Sequence, residues 1–101
     1  MYRVGIDIGG TKINIGIFSS DGTLITNKKI LISDVSDIAE TVYNTLSEIA
    51  NNASISFGDI LSCGIGIPGT VSHDGRKIIK APNIKILHEN IADEIEQKLN
   101  I

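Results

Sequence analysis

The sequence predicts an α/β fold, a mixed sheet in the order βββαβ followed by a β-hairpin and a final α-helix. Three observations predict it. Apolar residues alternate with period two at the start of the chain, punctuated by Gly9-Gly10 and Asp21-Gly22. Apolar residues at helical spacing then form one stripe, Ile38, Val42, Leu46 (with Thr45) and Ile49. After that helix comes Leu61–Ile67, a short and uncharged β-like run.

The elements follow in order. In residues 2–8, Tyr2, Val4, Ile6 and Ile8 share one face, with Arg3, Gly5 and Asp7 on the other. Gly9-Gly10 supplies a turn, on the expectation that glycine adopts positive φ there. Residues 13–19 alternate again, Ile13, Ile15 and Ile17 against Asn14, Gly16 and Phe18. Asp21-Gly22 is a second hairpin signal, and residues 23–32 complete an antiparallel meander. Ser33-Asp34 and Ser36-Asp37 both offer N-caps to the helix, which ends near Asn51-Asn52. Leu61–Ile67 has no polar alternation beyond Ser62, so both its faces are expected to be covered. A strand of this kind after a helix is expected to join the sheet parallel to an existing strand by a right-handed crossover. Pro68-Gly69 stops the run. Residues 70–72 and 76–80 flank Asp74-Gly75, a third hairpin signal, and Ala81-Pro82-Asn83 is a loop. Asn90 is expected to cap a last helix carrying Ile91, Ile95 and Leu99 on one face. With no linker or repeat, residues 1–101 form one unit that looks truncated before a next strand. The uncharged Leu61–Ile67 edge is then expected to mediate self-association.

Composition narrows the function classes. The chain has 101 residues, 42% hydrophobic and 21% charged, as in ordinary globular protein. A net charge of -3 and scattered basic residues argue against a nucleic-acid partner. No apolar stretch approaches the ~20 residues of a membrane span, and no signal peptide is apparent, so the expected location is cytoplasmic, with no membrane partner. The single cysteine, Cys63, lies in an apolar run and reads as a small buried hydrophobe rather than a nucleophile. His73 and His88 are isolated and read as turn or surface residues.

Three short segments could carry chemistry. In Asp7-Ile8-Gly9-Gly10-Thr11-Lys12 an acid at a strand end precedes two glycines, a hydroxyl and a cation. Glycines let backbone N–H groups approach an anion, Lys12 adds positive charge, and Asp7 suits a hydrated Mg²⁺, which uses few carboxylates. The Gly-x-x-x-x-Gly-Lys spacing of a P-loop is absent. A plain Gly-Gly hairpin turn explains the same residues. Gly64-Ile65-Gly66-Ile67-Pro68-Gly69 places glycines inside a strand, where they mark close approach of a backbone or ligand or merely a Gly-rich strand end. Asn83 offers a donor and an acceptor suited to a sugar hydroxyl, or is a turn asparagine.

Together, in this order and spacing, the three segments resemble the ROK (repressor, open reading frame, kinase) family of sugar kinases. That family is part of the actin, hexokinase and Hsp70-like ATPase superfamily. The resemblance covers almost the whole chain and implies an actin-like ATPase (ribonuclease H-like) lobe, of which residues 1–101 would be the N-terminal portion. It implies that Asp7 approaches Mg²⁺ through water, that Gly9, Gly10, Thr11 and Lys12 line the ATP phosphates, and that Gly66, Pro68, Gly69 and Asn83 border the sugar. The reaction implied is transfer of the ATP γ-phosphoryl to a hydroxyl of a hexose or N-acetylhexosamine. The family's catalytic base lies in a Glu-Asn-Asp-type segment after the next strand. No such segment is present, and Asp93, on an amphipathic helix, does not match it. No catalytic residue is therefore assigned, the segment alone is expected to be inactive and to bind ATP very weakly or not at all, and the parent is expected to be a kinase, with self-association of the segment or a homodimer of the parent. The family's zinc motif also has no match here. The alternatives are a sugar-sensing ROK regulator without its DNA-binding domain, disfavoured because the first strand begins directly after Met1, and an actin-like assembly protein.

Overall fold

The computed structural model describes residues 1–67, 70–71, 78–80 and 90–100. The alternating N-terminal segment forms β1 (Tyr2–Ile8), β2 (Lys12–Ser19) and β3 (Leu24–Leu31). β1 pairs antiparallel with β2, from Tyr2 opposite Ser19 to Ile8 opposite Ile13. β2 pairs antiparallel with β3, with a register irregularity between Ile17 and Phe18. Gly22 closes that hairpin at φ +91°, a conformation that favours glycine. Beside it the Asp21 carboxylate accepts from the Ser19 hydroxyl and from the Thr23 amide at 3.0 Å. These bonds, the Ser19 hydroxyl first, lower the Asp21 pKa to about 2. They are in place at neutral pH and are lost as pH falls from the ordinary carboxylate value of 3.8 through about 2.

α1 (Ile38–Asn52) follows, capped by Asp37, whose side chain accepts from the Glu40 amide at 3.0 Å. Of the two cap candidates, Ser36-Asp37 is therefore the one used. Ser33-Asp34 fall in and beside a 3₁₀ turn, Ile32–Asp34, that carries the chain out of β3. The helix ends with Ser54 at φ +57° and the Ile55 amide donating to the Ala50 carbonyl at 2.8 Å. This is a left-handed stop made without glycine.

β4 (Ile60–Gly66) then pairs parallel with β1, giving the sheet order β3-β2-β1-β4. The crossover through α1 makes this pairing possible, since parallel neighbours cannot be joined by a tight turn. β5 (Thr70–Val71) and β6 (Ile78–Lys80) form a separate antiparallel pair. The Asp74-Gly75 turn between them lies outside the described residues. α2 (Ile91–Leu99) begins after Asn90, but the Asn90 side chain makes no cap hydrogen bond, contrary to expectation. Asn90 has φ −99° and ψ 28°, not the extended backbone typical of a capping residue.

One face of the sheet is packed. Val4, Ile6, Ile8, Ile13, Ile15 and Ile17 are buried in one cluster with Ile38, Val42, Leu46 and Ile49 of α1 and Ile91, Ile95 and Leu99 of α2. Each such side chain contributes on the order of 1.5–3 kcal/mol when fully buried. Lys28 of β3 reaches Glu48 of α1 at 2.9 Å, with both side chains about half exposed. A pair like this is worth at most about 1 kcal/mol.

The other face of the sheet has no helix on it among the described residues. Among the described residues, β4 is covered on one side only. Ser62, Gly64 and Gly66 are exposed, Cys63 and Ile65 are half-buried on the helix side, and Leu61 is 51% exposed. The alternation was hidden because glycine carries no polarity in either direction.

Replacing Leu46 with alanine removes a fully buried side chain from the centre of this cluster. It should cost about 2–5 kcal/mol of unfolding free energy in urea. Leu31→Ala, at a site 46% exposed, should stay within about 0.5 kcal/mol of the parent.

Candidate functional site

The open face and the C-terminal ends of β1 and β4 meet at Asp7. In an open sheet, ligands sit outside the carboxyl ends of the parallel strands, and here those strands are β1 and β4. Register places Asp7 between Asn14 of β2 and Gly66 of β4. The Asp7 side chain is exposed. A Cβ on Gly66 would lie 3.7 Å from Asp7 Oδ1. The missing side chain thus leaves the carboxylate's flank open, which suits a carboxylate that holds a cation through water. Among the described residues no cluster of acidic, histidine or cysteine side chains could form a closed metal cage. An isolated carboxylate of this kind fits Mg²⁺, which keeps several of its waters.

The turn after β1 is fastened at both ends. The Gly9 amide donates to the Lys12 carbonyl at 2.8 Å, and the Ile32 amide donates to the Thr11 carbonyl at 2.8 Å. The second bond ties the turn to the exit of β3. Among the described residues, the amides of Gly10 and Thr11 make no backbone hydrogen bond, and Gly10, Thr11 and Lys12 are all exposed. The turn therefore offers two main-chain donors, a hydroxyl and an ammonium group to an anion. The reason for glycine here differs from the expected one. Neither Gly9 nor Gly10 has a left-handed φ. Gly9 is needed because a Cβ would sit 3.2 Å from the Lys12 carbonyl oxygen, while at Gly10 a Cβ would meet nothing within 4 Å.

Two features of the site were not singled out from the sequence. Asn14 beside Asp7 accepts from Asn27 Nδ2 at 3.1 Å, which orients its amide on the open face. Farther down that face, Gly16, Gly5 and Gly64 lie side by side across β2, β1 and β4. The Phe18 ring covers the first two, 3.2 Å from where a Cβ would be. Together with Asp7, Asn14 and Gly66 they line a shallow groove of about 300 Å³. Asn14 and Gly16 alternating with isoleucines was the available signal, but the Asn14–Asn27 bond needs the β2–β3 register.

The structure thus brings Asp7, Gly9, Gly10, Thr11, Lys12 and Gly66 to one end of one face. Pro68, Gly69 and Asn83 lie outside the described residues, as do His73 and His88. Cys63 is on the helix side of β4, where burial raises its thiol pKa to about 11. It stays protonated at neutral pH and takes no part in this site. Among the described residues no helix is long and apolar enough to cross a membrane.

The turn's construction separates its two glycines. Gly9→Ala should destabilise the chain and shift the amide resonances of Lys12 and Ile32, because the obstacle is backbone. Gly10→Ala should leave those resonances in place and be neutral or stabilising by up to about 1 kcal/mol. NMR spectra and thermal melts of the two variants check this.

The chain is similar to known sugar kinases. The chain is 34% identical over 97 residues to an N-acetylgalactosamine kinase of Shewanella sp. (strain ANA-3), covering 95% of this chain and 30% of that protein. It is 26% identical over 98 residues to a glucokinase of Streptomyces coelicolor, covering 97% of this chain and 30% of that protein. The chain thus spans about a third of the length of these relatives. Among solved structures, a ROK family glucokinase from Streptomyces griseus in complex with glucose and AMPPNP matches with a TM-score of 0.74 and 28% identity, over 100% of this chain and 31% of that one. The mixed α/β sheet is the actin-like fold of those kinases. Residues 3–101 match the ROK family, and the chain belongs to it.

Proposed function

We propose that residues 1–101 are the N-terminal portion of the actin-like lobe of an ATP-dependent kinase for a hexose or N-acetylhexosamine. The segment carries the first phosphate turn and part of the sugar pocket. The observation that carries this reading is the exposed Asp7 carboxylate, next to Gly66 and directly ahead of a turn whose Gly10 and Thr11 amides have no backbone partner among the described residues. The relatives named above phosphorylate glucose or N-acetylgalactosamine, which supports the substrate class.

In this reading the amides of Gly10 and Thr11, the Thr11 hydroxyl and Lys12 bind the phosphates of ATP. Asp7 would hold Mg²⁺, and Gly66 keeps the space beside Asp7 clear. The Mg²⁺ ion supplies charge neutralisation during transfer of the γ-phosphoryl group. The fixed turn contributes positioning, since its donors are held by the Gly9–Lys12 and Thr11–Ile32 bonds before any ligand arrives. Gly66, Pro68, Gly69 and Asn83 are assigned to the sugar side. None of the assigned residues is a base for the sugar hydroxyl; in this reading the base comes from elsewhere in a cytoplasmic kinase.

A coupled assay for ADP release tests the reading, run with Mg·ATP over a panel of hexoses and N-acetylhexosamines on a family-length protein carrying this segment. Turnover with one sugar is expected, and Asp7→Ala should lower it by about 10²-fold or more, the scale for losing one preorganised charge-stabilising group. Absence of turnover with every sugar, together with sugar-dependent thermal stabilisation, would instead identify a sugar-sensing regulator of the same family.

A further inference from the structure

Lys28 and Lys29 are adjacent in β3 but face opposite ways. Lys28 lies opposite Ile15 of β2, on the helix side, and its ammonium reaches Glu48 of α1 at 2.9 Å. Lys29 lies opposite Asn14. Residues directly opposite in an antiparallel pair share a face, and Asn14 is itself opposite Asp7. One row therefore crosses three strands on the face away from the helices: Asp7 of β1, Asn14 of β2 and Lys29 of β3.

This row adjoins the turn at residues 9–12. Lys12 precedes Asn14 by two positions in β2, so the two share that face. Lys12 and Lys29 are then diagonal neighbours, with Cβ atoms about 7 Å apart. A lysine carries its ammonium on a flexible four-carbon stem, so both ammonium groups can converge on one group placed between them. Asn14 supplies a third element. Its Oδ1 accepts from Asn27 Nδ2 at 3.1 Å, which leaves its own Nδ2 as a donor to a ligand. Lys12 and Lys29 make no ion pair among the described residues, in contrast to Lys28. Like charges in neighbouring positions of a sheet repel, and a multiply charged anion between these two would relieve that repulsion.

We propose that Lys29 is a second cation of the phosphate half-site, binding, with Lys12 and the Asn14 amide, the polyphosphate group that the turn receives. The inference rests on the phosphate-binding reading of that turn given above. It assigns a ligand contact to β3, a strand that the Asp7–Lys12 motif does not reach. Lysine on an edge strand can also serve only to prevent pairing with other chains. That role makes no demand on anion affinity, so binding experiments separate the two.

The test is an NMR titration of the ¹⁵N-labelled chain with inorganic tripolyphosphate, up to about 10 mM because a half-site binds weakly. The probe carries no base, sugar or metal. Shifts are expected at the amides of residues 9–12, at Lys29 and at the Asn14 side-chain amide. Lys29→Gln should weaken binding about threefold or more, the upper range for an exposed charge pair. Lys29→Arg should retain it. Lys28→Gln removes the same charge one residue away on the opposite face and should leave the affinity unaltered. Both lysines are exposed, so the variants should keep the fold, as circular dichroism would verify. Shifts at the turn with an affinity indifferent to Lys29→Gln would overturn the proposal and leave the phosphate turn standing. Equal weakening by Lys28→Gln and Lys29→Gln would also overturn it, since net charge alone would then explain the effect. No shift at residues 9–12 would overturn it together with the reading on which it rests.

Discussion

The packing of one sheet face against α1 and α2 is the constraint on which the rest of the molecule depends. Val4, Ile6 and Ile8 of β1 stand beside Ile17, Ile15 and Ile13 of β2, and all six belong to a single buried cluster with the two helices. Because side chains alternate strictly along a strand, committing these residues to the core sends Arg3, Gly5 and Asp7, and with them Asn14, Gly16 and Phe18, to the opposite face. A slip of one residue would bury Asp7 and expose the isoleucines. The position of the candidate site is thus set by the burial of its neighbours.

The parallel pairing of β1 with β4 adds the second element. It brings the carboxyl ends of two strands together and lays Gly66 beside Asp7. An alanine or larger residue at 66 would begin to occupy the flank of the carboxylate that a hydrated cation needs. The turn at residues 9–12 is held from two directions, by its own Gly9–Lys12 bond and by the bond from Ile32 at the exit of β3. The donors of the turn are thereby presented by rigid elements, which is the arrangement that binds anions without a large ordering cost. Cys63, on the other side of β4, is kept out of this chemistry by burial.

Much of this was legible in the sequence. The meander, the crossover helix and the helical stripes at Ile38, Val42, Leu46 and Ile49 and at Ile91, Ile95 and Leu99 appear in the structure where periodicity placed them. β4 was misread because Ser62, Gly64 and Gly66 alternate with Cys63, Ile65 and Ile67 in size rather than in polarity. Two adjacent Ser-Asp pairs offered caps, and only backbone geometry separates Asp37, which bonds the Glu40 amide, from Asp34 in a 3₁₀ turn. Asn90 sits at the right position with the wrong backbone angles to cap. Within the site, the Asp7 to Lys12 turn was recognisable as a string of residue types. The Asn14–Asn27 bond joins residues 13 apart and exists only once the β2–β3 register is fixed. The close approach that requires Gly9 is likewise a property of the folded turn.

The central claim is that the turn at residues 9–12, with Asp7, is a phosphate-binding half-site on the open face. NMR titration of the ¹⁵N-labelled chain with Mg·ATP addresses it most directly. The account predicts shifts at Gly9, Gly10, Thr11 and Lys12, extending to Asp7, Asn14 and Gly66, that remain unsaturated at about 1 mM ligand, a Kd equivalent to roughly −4 kcal/mol. Saturation at micromolar ligand, or shifts centred on α1 and α2 instead of the turn, would contradict it.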